Sequence, residues 1–360
     1  MKVIRLQGNH YQMGYQHGRE VLNLRPVVLE TIERRLSLLP QAEQGLKQRA
    51  KELLEALESL DQPVMQMLRG IADALNVEFT LLFEYAMASY LEDWGASPTQ
   101  QVAVECTVWA ASDGATADGQ PLLVKNRDRP EQSDQQLIAL AQPEHGYRYG
   151  YITSAGAPGV FSSGLNEAGL AVADARVRTV DVGPGLPSFS LMMHLLEEHA
   201  TVSSALDYLT NASRLGGSNL VLADAGGNLA VFESGHHNCG VIKAENSFVV
   251  STNHFVTPQL CSKWIEKEEP HLRGNSQRRY EVVREALQQA WGRIDVAWAQ
   301  ELMARHGGPL DSLCRHAELG GCSVTISTTI LLPATRSFWA CFGHPCQGKY
   351  HFFFVKEDKG

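Results

Sequence analysis

Apolar positions in the first hundred residues recur at helical spacing. Val21, Leu22, Leu24, Val28 and Leu29 mark an amphipathic stretch from Arg19 to Leu39, which Pro26 is placed to kink and Pro40 to stop. A second helix is expected over Gln41–Leu60, rich in Ala, Leu, Glu and Lys. Pro63 opens a third over Val64–Leu75, and an apolar fourth follows at Thr80–Tyr90. From about Gln101 the pattern changes to short apolar runs bounded by glycine turns. These predict strands at Val102–Ala111, Leu122–Lys125, Gly150–Thr153, Leu170–Ala173, Asn219–Ala223, Leu229–Glu233 and Phe248–Ser251, then Ser323–Leu332, Ser337–Phe342 and Tyr350–Val355. Helical patterns interrupt at Phe189–His199, Val202–Leu209 and Ser276–Gln289. Helices and strands come in blocks rather than in βαβ alternation, so the expected class is α+β.

Composition narrows this picture. The chain has 360 residues, 44% hydrophobic and 20% charged, as in an ordinary globular protein. A net charge of -9 argues against nucleic acid as a partner, because that binding needs a basic face. Apolar stretches such as Phe79–Leu91 are short and broken by charge, here Glu84, so no membrane span is expected. The start, Met1-Lys2-Val3-Ile4-Arg5, lacks the apolar core of a signal peptide, which points to the cytoplasm. Seven cysteines in so long a chain form no disulfide framework. Oligomeric state stays open, a homo-oligomer included.

Chemistry concentrates at the change of texture. Glu105-Cys106-Thr107-Val108-Trp109-Ala110 begins the strand-rich half, and after a turn the chain returns through Leu122–Lys125 to Asn126-Arg127-Asp128. Two strands joined by a tight connection pair antiparallel, which brings Lys125–Asp128 back beside Cys106. Taken alone, a cysteine in an apolar run is usually a small hydrophobe, and Asp128 is a solvated turn residue at a strand end.

The pattern Cys106-Thr107, Gly119 and Asn126-Arg127-Asp128 resembles the nucleophile hairpin of N-terminal-nucleophile cysteine hydrolases, a group that includes bile salt hydrolases, penicillin V acylases and acid ceramidase. The likeness is strongest to the acyl-coenzyme A:isopenicillin N acyltransferase family, whose precursors also carry a helical segment before the cysteine. The same family is resembled by Gly8 with Met13-Gly14-Tyr15-Gln16-His17-Gly18, by Gly164-Leu165-Asn166-Glu167-Ala168-Gly169-Leu170, by Ser251-Thr252-Asn253-His254-Phe255 and by Trp339 with Gly343-His344-Pro345-Cys346. The resemblance implies a four-layer αββα fold, self-cleavage between Glu105 and Cys106, and two chains, a helical 1–105 and a catalytic 106–360. It also implies that the freed α-amino group of Cys106 is the general base; its ordinary pKa of roughly 8 suits that role. The substrate would be a small acyl amide or acyl thioester, the reaction amide hydrolysis or transfer of the acyl group to an amine, and no cofactor is called for.

Matched residue by residue, Asp128 falls where the family holds the α-amino group, Asn253 where a side-chain amide lines the oxyanion hole, and Arg279 where an arginine lies near the nucleophile. Arg278 and Arg284 close by leave a solvated helix position as the alternative for Arg279. Lys125, Asn126, Arg176 and Thr107 fall at substrate-binding positions. Two departures stand out. Lys125 replaces a common arginine and loses its planar fork of donors. Glu105 replaces the usual glycine at the bond to be cut.

Two other clusters invite a metal reading, His236-His237-Asn238-Cys239 and Cys314-Arg315-His316. Neither has the paired Cys-x-x-Cys spacing of a structural zinc site, so no metal is expected. Gly216-Gly217-Ser218 reads as a turn, and the charged run Lys263–Glu269 as a solvated face. A papain-like protease would need its cysteine at a helix start, whereas Cys106 lies in a strand pattern. A non-catalytic binding relative would be expected to lose Cys106, Asp128 or Asn253, and all three are present.

Overall fold

The computed structural model describes residues 1–37, 39, 44–95, 105–130, 135–244, 247–266, 272–319 and 323–356. Parts of the expected elements at 41–43 and 102–104, and of the charged run at 267–269, lie outside the described residues. The chain opens with strand β1 (Lys2–Gly8) and then runs through helices α1 (His10–Glu20), α2 (Arg25–Ser37), α3 (Gln44–Leu60), α4 (Gln62–Leu75) and α5 (Phe79–Gly95). Strands β2 (Glu105–Asp113), β3 (Gly119–Arg129), β4 (Gln136–Pro143), β5 (Tyr149–Ser154), β6 (Ser163–Asn166) and β7 (Leu170–Arg176) follow. Helices α6 (Ser188–Glu198) and α7 (Val202–Asn211) lead to β8 (Ser218–Asp224), β9 (Leu229–Ser234), β10 (Cys239–Lys243) and β11 (Phe248–Ser251). The chain ends with α8 (Asn275–Gln289), α9 (Val296–Met303), β12 (Val324–Leu332), β13 (Ser337–Phe342) and β14 (His351–Phe354).

The expected Arg19–Leu39 helix is two helices. Pro26 sits in the first turn of α2, where its missing N–H costs no hydrogen bond, so it starts a helix instead of kinking one. The expected α4 begins one residue before Pro63, because the buried Asp61 caps it by accepting from the Val64 amide at 3.1 Å.

Two sheets stack face to face. Among the described residues one has eight strands in the order β1-β4-β5-β6-β7-β8-β9-β10, and the other six in the order β11-β2-β3-β12-β13-β14. Strand alternation then divides the side chains among three apolar layers. Cys106, Val108, Ala110 and Leu123 meet Ile152, Ala171, Ala173 and Val221 between the sheets. The outer face of the larger sheet, with Tyr149, Tyr151, Val172 and Phe232, is covered by the helices of the first segment and by α6. The outer face of the smaller sheet, with Trp109, Val124 and Ile330, is covered by Val283 and Leu287 of α8 and Leu302 of α9. The result is the expected αββα sandwich of α+β class.

The first segment is woven into this body. β1 pairs in parallel with β4 at the edge of the larger sheet. Helix α1 lies against α4 at backbone contact: a Cβ on Gly14 would sit 2.0 Å from the Met67 carbonyl oxygen, and one on Gly70 2.2 Å from that of Tyr11. The Met13–Gly18 motif is thus a packing device. Its His17 is fully buried and accepts from the Gly156 amide at 3.0 Å, and burial pushes its pKa down to about 4.

Candidate active site

β2 and β3 pair antiparallel with Cys106 opposite Arg127, Thr107 opposite Asn126 and Glu105 opposite Asp128. This register confirms the expected hairpin and sorts its polar residues by face. Cys106, Lys125, Arg127 and Arg129 point into the space between the sheets. Glu105, Thr107, Asn126 and Asp128 point the other way, toward α8, α9 and the segment that follows them.

On the first face the Cys106 thiol opens into a small cavity. Its walls include Arg129, Asp174, Arg176, Ser188, Phe161, Phe189 and, from α5, Ala86, Ser89 and Tyr90. One side is apolar, with the Phe161 and Phe189 rings stacked at 4.5 Å. The other is charged. Arg176 donates to the Ser89 carbonyl and lies 5.5 Å from the Tyr90 ring centre. Lys125 does not reach the wall. Its ammonium donates to Asp174 at 2.5 Å and to the Ser162 carbonyl at 3.1 Å, one layer behind the sulfur. Burial pushes the Cys106 thiol pKa up; Lys125 and Arg129 pull against it, while Asp174 adds to it.

At the backbone of Cys106 two predicted residues converge. The Cys106 amide donates to Asn253 Oδ1 at 3.0 Å. Arg279 donates through Nη2 to the same oxygen at 2.8 Å, through Nη1 to the Cys106 carbonyl at 2.6 Å and to Thr107 Oγ1 at 2.8 Å, and through Nε to Asn275 at 3.0 Å. Arg279 is fully buried, so the solvated alternative is excluded: Asn275, one helical turn earlier, and the start of β2 enclose it. Asn253 Nδ2 donates to the Arg176 carbonyl at 2.9 Å, and the Asn253 amide is held by Ser276 at 2.8 Å.

Besides Lys125, two more residues expected to touch substrate do not reach the cavity. Asn126 donates to the carbonyls of Met303 at 2.9 Å and Leu313 at 2.8 Å, tying β3 to the outer layer. Thr107 is engaged by Arg279 on that same outer face. The period-2 alternation of β2 and β3 turns both away from the side that carries the sulfur.

Asp128 also corrects an expectation. It is no solvated strand end but is wholly buried, facing Glu105. One carboxylate oxygen accepts from Thr325 Oγ1 at 2.6 Å, and the other has no hydrogen-bond partner among the described residues. Burial, opposed by Arg279 and Arg315, raises its pKa to about 6. Glu105 is equally buried and lies 3.2 Å from Arg315 and 4.0 Å from Arg279. A charged residue is therefore accommodated at the expected cleavage bond by two buried arginines.

Arg129 and Asp174 were not among the residues picked out from sequence, and Arg315 was named only inside the Cys314-Arg315-His316 cluster. Arg129 and Asp174 lie two residues from Arg127 and Arg176, on the same strand faces, so alternation alone could have pointed to them. Nothing local marks Arg315.

Residues 115–347 match the family described as acyl-coenzyme A:6-aminopenicillanic acid acyl-transferase. The match takes in Lys125, Asp128, Arg176, Asn253 and Arg279 and begins after Cys106. The chain belongs to this family of enzymes. An uncharacterized protein of Archaeoglobus fulgidus is 22% identical over 84% of this chain, which spans only 57% of that relative's length. Among solved structures, a mutant conjugated bile acid hydrolase from Clostridium perfringens aligns with a TM-score of 0.47 at 13% identity, over 71% of this chain and 97% of its own. Penicillin V acylase from Agrobacterium tumefaciens aligns with a TM-score of 0.42 at 13% identity, over 72% of this chain and 83% of its own. Among the described residues no helix is long and apolar enough to cross a membrane.

Proposed function

We propose that this protein is a self-processed cysteine amidohydrolase that cleaves a linear, non-peptide amide of a small acylated molecule through an acyl-enzyme on Cys106. The observation that carries the reading is the clamp on Cys106: its amide on Asn253, its carbonyl on Arg279, and its sulfur at the cavity. In the first step the thiol adds to the Glu105 carbonyl carbon. The Glu105–Cys106 C–N bond breaks to leave a thioester, and water hydrolyses it. The mature protein would be chains 1–105 and 106–360, held together by the shared edge strand and helix packing, with α5 still walling the cavity.

The freed α-amino group then takes the thiol proton, which an amide nitrogen cannot do. The partnerless Asp128 oxygen lies across from the cut bond and is suited to hold the ammonium form. The thiolate adds to the substrate carbonyl. The Asn253 amide, with one N–H on Arg176, has a second N–H to offer the oxyanion. The amine leaves with the proton, and water resolves the acyl-enzyme. The stacked phenylalanines suit an apolar acyl group, and Arg129 and Arg176 suit a carboxylate on the same molecule.

The family description favours a second outcome, in which an amine resolves the acyl-enzyme and the acyl group is transferred. Intact mass under denaturing conditions, followed by a screen of N-acyl amides and acyl thioesters with and without amine acceptors, tests both. The expected result is two chains and turnover lost in Cys106→Ala. A fully active protein that stays one uncut chain would overturn the proposal.

A further inference from the structure

His306, Cys314, His316 and Cys346 come together from the segment before β12 and the turn after β13, and none of them lines the Cys106 cavity. Their ligand atoms all lie within 4.8 Å of one another. Cys314 Sγ is 3.6 Å from Cys346 Sγ and 3.4 Å from His316 Nε2, and His316 Nε2 is 3.3 Å from Cys346 Sγ. A zinc ion with Zn–S of about 2.3 Å and Zn–N of about 2.0–2.1 Å holds tetrahedral ligand atoms about 3.3–3.8 Å apart. The three measured separations fall in that range. A Cys314–Cys346 disulfide would instead need the sulfurs at about 2.05 Å.

The backbone builds the site from two sides. The Arg305 carbonyl accepts from the amides of Leu313 at 3.1 Å and Cys314 at 3.0 Å, which seats His306 beside Cys314. The His344 carbonyl accepts from Gln347 at 3.1 Å and Gly348 at 2.8 Å, closing the turn that presents Cys346. Cys314 is buried, His316 and Cys346 are half-buried, and His306 is exposed, so an ion can enter from solvent. The expectation of no metal rested on the lack of paired Cys-x-x-Cys spacing in either sequence cluster; folding adds His306 and Cys346 to Cys314 and His316.

We propose that these four side chains form a closed Cys2His2 site for zinc. The ion would lock the segment 305–316 to the turn after β13. Arg315, between two of the ligands, turns the other way and reaches Glu105 at 3.2 Å, while its amide is held by Thr325, the partner of Asp128. The metal would thus hold a positioning residue, Arg315, against the bond before the nucleophile, and it takes no part in the reaction.

The test reads metal without turnover, so it stands or falls separately from the proposed reaction. The full-length chain, made without a histidine tag, is dialysed exhaustively and its zinc measured by elemental mass spectrometry. The expected content is about one zinc per chain, falling at least tenfold in Cys346→Ser and in His306→Ala and unchanged in Cys261→Ser, an exposed cysteine elsewhere. Cobalt exchanged into the wild-type chain should show thiolate-to-metal charge transfer and the visible bands of a tetrahedral ion. Wild-type protein without stoichiometric zinc that also fails to take up cobalt in this geometry would overturn the site, as would a Cys314–Cys346 disulfide found by peptide mapping. Because the wild-type measurement decides, misfolding of a variant does not rescue the proposal.

Discussion

The Arg279 guanidinium donates to the carbonyl oxygen of Cys106 at 2.6 Å while a second arm of the same group holds Asn253 at 2.8 Å. One planar group therefore fixes both the backbone of the proposed nucleophile and the side chain proposed to receive the oxyanion. Asn253→Ala should lower turnover roughly 10²–10³-fold, the usual loss of one oxyanion donor. Arg279→Lys keeps the charge but cannot span the four acceptors, so turnover should fall at least about tenfold as well. Steady-state kinetics with thermal melts alongside would check this, and full activity in Asn253→Ala against a true substrate would remove it from the site.

The Lys125–Asp174 pair sets the electrostatics behind the sulfur. Lys125 favours the thiolate and Asp174 disfavours it. In Lys125→Met the pH midpoint of iodoacetamide labelling at Cys106 should therefore move up, and in Asp174→Asn it should move down. Opposite or absent shifts would place the pair outside electrostatic reach of the thiol.

Asp128 carries a pKa raised by burial to about 6, above the 3.8 of an ordinary aspartate. A raised acid binds its proton more tightly folded than unfolded, so its contribution to stability is full below 3.8 and is lost as pH rises through about 6. Asp128→Asn should weaken that loss, narrowing the stability difference between pH 4 and pH 8 relative to the parent, while turnover drops sharply. Urea unfolding across this range measures the first effect and kinetics the second. An unchanged pH profile of stability would show that Asp128 titrates normally.

His194 of α6 joins the two segments on either side of the expected cut, lying 3.2 Å from Asp61 and 3.3 Å from Glu198. Burial lowers its pKa, but the two carboxylates outweigh that and raise it to about 10. The resulting stability is full below 6.5 and is lost as pH rises through about 10. His194→Gln should be destabilised at neutral pH and much less so, relative to the parent, above pH 10. Thermal melts at pH 7 and pH 10.5 would reveal a uniform deficit instead if the contact were purely steric.

Gly14 leaves no room for a side chain, since its Cβ would meet the Met67 carbonyl oxygen at 2.0 Å. Gly14→Ala should cost on the order of 2–3 kcal/mol by forcing α1 off α4. Chemical denaturation would measure it. A neutral substitution would mean that the two helices are free to separate.

The helical first segment, the strand-rich remainder and the Cys106 hairpin were legible because each is written in local periodicity. Pairing between consecutive strands follows from the short turn, and the register with Asn126-Arg127-Asp128 follows from the pairing. The resemblance then named Asn253 and Arg279, whose distance in sequence hides their convergence on Cys106. Not legible were β1 and β4, whose parallel pairing spans more than a hundred residues, and the face each polar residue takes.

By itself the sequence determined many of the helices and strands, where the two textures meet, and which residue types are present for nucleophilic chemistry, because spacing along the chain encodes backbone periodicity. Only the tertiary structure decided that Lys125 stands behind the sulfur while Asn126 and Thr107 face away. It alone buried Asp128 and Glu105 among arginines, and it alone gathered His306, Cys314, His316 and Cys346. The reason is physical: burial and convergence depend on which surfaces pack together, and packing joins residues that no local pattern relates.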